Sequence, residues 1–201
     1  MLQFRVYNLN VSPTLFLRID TCFKDSETGK FFPRQNRKRK LFCGQIFFLD
    51  PLAEQAEELV KEWAREKDPG KLKIIENAKS LIPKELRQGD SCFTSVAFVG
   101  SLDRGAVRHN HPHLDKNDLL GGILSLGNVS SGGGTVYYFE DPNSAVKKIG
   151  EPAVYVPFKH ARFQVGHFEQ VFHEGEEWEG DRGIISFYLT KKIYDHFVHN
   201  K

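Results

Sequence analysis

The chain is short of the features that mark a disulfide scaffold, a membrane segment or a bulk polyanion binder. Its 201 residues hold 3 cysteines, Cys22, Cys43 and Cys92, and none stands in a CxxC pair. An odd, scattered set gives neither a disulfide framework nor a zinc ribbon, and it suits free thiols in a reducing compartment. No apolar run approaches the roughly 18 residues of a membrane span. The opening stretch MLQFRVYNLNVSPTLFLRID breaks its apolar residues with Arg, Asn and Asp. Neither a signal peptide nor a membrane contact is therefore expected, and the expected setting is intracellular, cytoplasmic or nuclear. A formal net charge of +2 leaves no global excess of either sign, so affinity for nucleic acid has to come from a local patch. Internal repeats and low-complexity tracts are absent, and Met1 is the sole methionine.

Phenylalanine is plentiful, at 17 residues, and aromatics suit wide sheets with a filled core. Residues 1–24 alternate apolar and polar (Phe4, Val6, Leu15, Leu17, Ile19), which predicts two strands joined near Ser12-Pro13. A polar loop over 25–40 follows, and LFCGQIFFLD predicts a further strand ending at Asp50. Asp50-Pro51 carries the signals of a helix start, with Leu52, Ala56, Leu59, Val60 and Trp63 on one face as far as about Lys67. Pro69-Gly70 breaks that helix, and Leu72, Ile75 and Ala78 predict a second over 71–81. From Ser91 onward short apolar runs recur between Gly, Asn, Asp and Pro clusters, the last being GIISFYLTKKIY. That rhythm predicts a sandwich or barrel. The expected architecture is mainly β with flanking helices. It forms one domain over 1–201, with strands and supporting helices in 1–90 and a jelly-roll core in 91–201.

The chemistry concentrates between 109 and 188. His113 and Asp115, in HPHLDKND, are two apart, so on a strand both reach one ion. With a later histidine they make two imidazoles and one carboxylate, a set that covers one face of an octahedral Fe(II) and leaves positions open. His173, before the turn that leads to Arg182, is the expected third ligand on a pair of adjacent antiparallel strands, with His160 and His167 also in range. His109, His111 and His113 form a competing register, an HxH pair suited to Zn2+ or a cupin-type site with Asp115 or Asp118. Arg182 opens the strand RGIISFYL, where Ile184, Ser186 and Tyr188 share its face. Its planar fork fits a carboxylate such as the far end of a keto acid, and Ser186 can add a hydroxyl. Gly132, Gly133 and Gly134 predict a tight hairpin with no ligand role. Tyr137 and Tyr138 follow, one facing inward. Tyr138 is assigned with Arg182 and Ser186 to the co-substrate, and His111, Asn117 and Asp118 to the substrate.

A separate basic run, Arg34, Arg37, Lys38, Arg39 and Lys40, lies among Phe31, Phe32 and Phe42. Such a cluster can bind phosphates, act as a nuclear localisation patch, or form a solvated loop.

The order HLD, then GGGT, then HEGEEWEGDR and a strand resembles the second half of the Fe(II)/2-oxoglutarate-dependent dioxygenases. HLDKND followed by LSLGNVSSGGGTVYYFED, and the closing WEGDRGIISFY, resemble the branch allied to the TET/JBP hydroxylases of thymine and 5-methylcytosine. The likeness spans roughly residues 92–190. It implies a double-stranded β-helix (jelly roll, cupin-like), with His113, Asp115 and His173 as iron ligands and Arg182 as the 2-oxoglutarate anchor. The family pattern has Ser or Thr two residues after that arginine, where this chain has Ile184. The implied activity hydroxylates a C–H bond with release of succinate and CO2, using Fe(II) and 2-oxoglutarate with ascorbate as reductant. A nucleobase methyl group is one substrate class; a flipped-out base would be needed in a duplex. Peptidyl (prolyl or lysyl) and small-metabolite hydroxylation are others. A non-catalytic β-sandwich binding module and a cupin-like zinc protein are the alternatives of another class.

Overall fold

Period-2 alternation in the second half of the chain resolves into two antiparallel sheets with different neighbours. The computed structural model describes residues 4–23, 42–44, 47–101, 118–140 and 149–199. In chain order these form β1 (Phe4–Asn8), α1 (Pro13–Phe23), β2 (Phe42–Gly44), a short 3-10 turn (Phe47–Leu49), α2 (Asp50–Lys67), α3 (Pro69–Leu81) and a second 3-10 turn (Lys84–Leu86). Then come β3 (Ser95–Ser101), β4 (Asp118–Gly132), β5 (Thr135–Glu140), β6 (Ile149–Val156), β7 (Arg162–Gly166), β8 (His173–Gly175), β9 (Trp178–Thr190) and α4 (Lys191–Val198). The larger sheet has the order β1-β7-β4-β9-β3-β2, and the smaller β6-β5-β8. After β4 the chain passes to the smaller sheet for β5 and β6, returns for β7, crosses again for β8 and returns for β9. This is a double-stranded β-helix with helices on one side, mainly β as the sequence predicts.

The two faces of β9 define two layers. Ile185, Phe187 and Leu189 enter the main core with Leu120, Leu124 and Leu126 of β4. Leu52, Ala56, Val60 and Trp63 of α2 and Ile75 and Ala78 of α3 complete it. These side chains are at most 2 % exposed, and such burial is the main favourable term in the fold. The alternate residues Arg182, Ile184, Ser186 and Tyr188 turn toward the smaller sheet. There a second cluster gathers Tyr137, Val156 and Phe168 with Phe4 and Ile123. Phe4 stacks on Tyr137 at 4.5 Å between ring centres, joining edge strand β1 to β5.

Four expectations are corrected. Residues 13–23 form a helix rather than a strand: Ser12 Oγ accepts the Leu15 amide at 3.2 Å, Pro13 sits in the first turn, and Ile19 is buried while Leu17 is 66 % exposed. The useful period there is 4, from Leu15 to Ile19, and not 2. LFCGQIFFLD holds the short β2 and a 3-10 turn, with 45–46 outside the described residues, and Leu49 rather than Asp50 is the cap position of α2. The Asp50 carboxylate instead accepts a hydrogen bond from the Gln88 amide. Gly132–Gly134 is not a hairpin, because β4 pairs with β7 and β9 while β5 pairs with β6 and β8. The turn carries the chain from one sheet to the other. Finally, the last strand stops at Thr190, and Lys191–Val198 is helical, its Tyr194 buried and accepting from Asn77 Nδ2 at 3.2 Å. The helices over 50–67 and 69–81 match expectation. Asp68 caps the second by accepting the Gly70 amide at 3.1 Å. Among the described residues no helix is long and apolar enough to cross a membrane.

Glu57 ties the helical layer to the sheet. It is 1 % exposed, and its carboxylate meets Lys61 Nζ at 2.6 Å and Lys79 Nζ at 2.9 Å and accepts the Cys92 amide. Burial by itself pushes this carboxyl's pKa up, but Lys61 and Lys79 outweigh it and hold it below the ordinary value of 4.5. The folded state therefore prefers the carboxylate. Its stabilisation is full above the unfolded-state pKa and is lost as pH falls through the folded value. Glu57→Gln is expected to cost about 2–3 kcal/mol in urea unfolding at pH 7 and to flatten the stability profile below about pH 4.5. A variant profile as steep as that of the parent would remove Glu57 from this role.

Candidate functional site

Strand β8 is three residues long and places its side chains by pairing with β5. Tyr137 lies opposite His173, Val136 opposite Glu174 and Thr135 opposite Gly175. His173, Tyr137 and Thr135 therefore share the face that looks at the larger sheet. His173 is 3 % exposed, its ring edge-on to Phe168 at 5.0 Å and 6.2 Å from that of Tyr137. Its Nδ1 lies 3.0 Å from the Val171 carbonyl. A carbonyl can only accept, so Nδ1 carries the hydrogen, which in the neutral ring leaves the lone pair on Nε2. This is the arrangement a metal-binding imidazole uses, with the second nitrogen held by a backbone acceptor.

Phe168 is held in turn by its neighbours. Glu169 meets Lys71 Nζ at 2.5 Å and His167 Nδ1 at 3.4 Å. Burial pushes the Glu169 pKa up, yet His167 and Lys71 together hold it below its ordinary value. Helix α3 thus fixes the segment that packs on His173.

Arg182 is locked on three sides. Its Nε donates to the Gly133 carbonyl at 2.9 Å, and its Cζ lies 5.0 Å from the Trp178 ring centre, a cation–π contact. A Cβ at Gly175 would sit 3.1 Å from its Nη2, so the missing side chain makes room for the guanidinium. Because Gly175 and His173 share a face of β8, the arginine fork and the imidazole lie on the same side of it, against positions two residues apart. They come from facing sheets, not from adjacent paired strands as expected. The Gly-rich turn has a part here that its expectation as a plain hairpin left out. Gly132 has φ +66°, and a Cβ there would fall 1.8 Å from the Glu177 carbonyl oxygen. Only glycine lets the chain cross between sheets this tightly and still deliver the Gly133 carbonyl to Arg182.

Ser186 shares the inward face of Arg182, but Ile184 stands between them. Ser186 lines a cleft with Asp118, Gly121, Ile123, Phe168 and Tyr188. Tyr138 is corrected: its hydroxyl donates to Glu174, on the outward face opposite to His173. Partial burial, then that bond, push its pKa up to about 12. Tyr137 is the inward tyrosine. His167 lies on the helix side of the larger sheet, edge-on to Trp63 at 5.0 Å and 3.6 Å from Asp68, away from Arg182. His160 Nδ1 accepts the Gly127 amide at 3.1 Å. His109, His111, His113, Asp115, Asn117 and the basic residues Arg34, Arg37, Lys38, Arg39 and Lys40 lie outside the described residues. Among the described residues no three His, Cys, Asp or Glu side chains gather into a metal-binding group. Trp178 escaped the sequence reading, although WEGDR places Trp178 and Arg182 four residues apart on one face of a strand.

No protein-family model matches the chain, and no curated protein matches it. Solved structures do. NgTET1 in complex with 5mC DNA superposes with a TM-score of 0.57 at 14 % identity, covering 94 % of this chain and 72 % of that one. A prolyl-4-hydroxylase from Pseudomonas putida superposes less closely, at a TM-score of 0.46 and 12 % identity over 95 % of this chain and 94 % of that one. The likeness to NgTET1 establishes a shared double-stranded β-helix fold.

Gly132→Ala is expected to destabilise the protein by about 3 kcal/mol or more in urea unfolding, from positive-φ strain and the backbone clash together. A loss under about 1 kcal/mol would mean that the crossover relaxes without glycine.

Proposed function

We propose that the chain is an Fe(II)- and 2-oxoglutarate-dependent oxygenase that hydroxylates a C–H bond and releases succinate and CO2. The observation that carries this is the pairing, on one side of β8, of a buried imidazole whose Nδ1 is committed to a carbonyl with an arginine locked by Gly133 and Trp178. His113 and Asp115 join His173 as the ligands in this proposal. Asp115 precedes Asp118 by three residues in the sequence. Asp118 lines the cleft with Phe168, whose ring meets His173, and this tether supports the assignment.

Iron(II), when bound, supplies the activation of O2 coupled to decarboxylation of the keto acid. The chain's residues do the rest. Val171 holds the His173 ring so that Nε2 faces the ion. Arg182, pre-positioned by Trp178 and Gly133, pairs with the distal carboxylate through two hydrogen bonds and orients the keto acid. Phe168, Tyr137 and Ile184 exclude water around it. Ser186, on the inward face of β9, adds its hydroxyl to the co-substrate, and Asp118, Asn117 and His111 contact the prime substrate. Ascorbate serves as the reductant.

A nucleobase methyl group is the substrate class we favour. NgTET1, which shares the fold, was solved with 5mC DNA, and the run Arg34, Arg37, Lys38, Arg39 and Lys40 supplies phosphate-binding charge.

Fe(II), ascorbate and 2-oxoglutarate are expected to yield succinate slowly even without prime substrate. His113→Ala, Asp115→Ala and His173→Ala should each lower this by at least ~100-fold, whereas His167→Ala should retain iron binding. Arg182→Met should raise the 2-oxoglutarate concentration needed by at least ~10-fold. Ordinary turnover in His173→Ala, or loss of iron in His167→Ala, would sink the ligand assignment. For the substrate, neutralising Arg37, Lys38, Arg39 and Lys40 is expected to weaken binding to a 5-methylcytosine-containing oligonucleotide and to reduce its salt dependence. A parent protein that binds no such oligonucleotide would remove the nucleobase proposal and leave the oxygenase one standing.

A further inference from the structure

Between β7 and β8 the chain makes a turn, and His167 stands at its root. The amides of Gln170 and Val171 both donate to the His167 carbonyl, at 2.9 and 2.8 Å, so the turn closes on this residue. The same turn supplies Phe168, whose ring meets His173, and the Val171 carbonyl that accepts from His173 Nδ1. Whatever fixes His167 therefore also fixes two supports of His173.

The His167 side chain is 13 % exposed and lies between two carboxylates. Its Nδ1 is 3.4 Å from Glu169 Oε1, and its Nε2 is 3.6 Å from Asp68 Oδ2. Both partners are anchored elsewhere. Asp68 Oδ1 accepts the Gly70 amide at the start of α3, and Glu169 Oε1 meets Lys71 Nζ at 2.5 Å. His167 and Lys71 hold the Glu169 carboxyl below its ordinary pKa, so it stays ionised where an imidazole titrates. A carboxylate only accepts, and a neutral imidazole has one N–H. With the neutral ring, one of the two carboxylates faces a lone pair. An imidazolium has two N–H groups and serves both.

Among the described residues the other charges near this cluster are accounted for. Lys71 also donates to the Leu119 carbonyl, and it repels a charge on the ring while the two carboxylates attract it. From α2, Trp63 meets the ring edge-on at 5.0 Å. On β1, Arg5 is paired with Glu62 and Glu66 of α2. His173 is the other titratable group in contact with the turn.

We propose that His167 is a proton-operated clamp on the turn that supports His173. Protonated, the ring ties the turn to Asp68 at the α2–α3 junction and to Glu169 together. Neutral, it releases one of them. The grip is therefore complete at low pH and weakens as pH rises through the titration of the ring. The clamp itself needs no metal. Its consequence, a firmer iron-binding imidazole at low pH, rests on the oxygenase reading.

Amide hydrogen exchange of the metal-free protein, followed by NMR and corrected for intrinsic rates, tests the clamp. The Gln170 and Val171 amides are expected to be about five- to tenfold less protected at about pH 8 than at about pH 5.5, the loss of one charge-assisted bond. His167→Gln carries no titrating proton and should reduce that difference to under about twofold. Asp68→Asn should do the same, since its remaining oxygen still caps α3. Under anaerobic conditions the parent should bind Fe(II) about threefold more tightly than His167→Gln at about pH 6, and within about twofold of it at about pH 8. Equal protection in the parent at both pH values, or a difference that persists in His167→Gln, would overturn the clamp. If His167→Gln fails to fold, Asp68→Asn decides the same question. A pH-dependent turn with no difference in Fe(II) affinity would overturn the link to His173. A parent protein that binds no Fe(II) would overturn the oxygenase reading, while the exchange comparison still decides on the clamp.

Discussion

The structure hangs on the two-sidedness of β9. This 13-residue strand pairs with β4 along nearly its whole length and with β3 over its second half. One set of its side chains seals the apolar layer beneath α2 and α3, and the other set faces the smaller sheet. A register slip of one residue would exchange Phe187 for Ser186 in the core and turn Arg182 into the helical layer, where no anion could reach it. Folding and site placement are thus one constraint, since the energy that holds the register is the burial of Ile185, Phe187 and Leu189.

The helical layer does more than cover the sheet. Glu57 joins α2 and α3 to the segment that enters β3, while Lys71 reaches from α3 to Glu169 and so steadies Phe168 against His173. The imidazole is thereby gripped from two directions, by the Val171 carbonyl within its own segment and by an aromatic ring anchored to a helix. Such support limits rotation of the ring about its side-chain bonds, a requirement for any imidazole that has to present one nitrogen in a fixed direction.

Much of this was legible in the residues. Apolar spacing over Leu52 to Trp63 located α2, the recurrent short runs located the β core, and His173 with Arg182 emerged from their order along the chain. What was not legible depended on partners distant in sequence. Alternation at Leu15, Leu17 and Ile19 fits a strand or one face of a helix, and the Ser12 cap with Pro13 decided for the helix. Three glycines in a row signal a turn without saying whether it closes a hairpin or changes sheets, because that depends on which strands β4 and β5 join. Tyr137 and Tyr138 are adjacent and chemically alike, and only the pairing of Tyr137 with His173 separates the inward ring from the outward one. The hydrogen bonds of Gln164 to Tyr137 and Thr135 carried no signal at all, since these partners lie 27 and 29 residues away.

The contact between Trp178 and Arg182 has an optical consequence. The chain has 2 tryptophans, and they occupy opposite regimes. Trp63 is 1 % exposed beneath the helices, remote from the inward face, whereas Trp178 stacks directly on the guanidinium. An indole's emission responds to a charge held against its ring, and an anion that neutralises Arg182 alters the field at Trp178 while leaving Trp63 as a constant background. On the proposed assignment of Arg182, the site carries its own fluorophore, so that occupancy by a colourless, non-reacting carboxylate is visible in the light the protein emits.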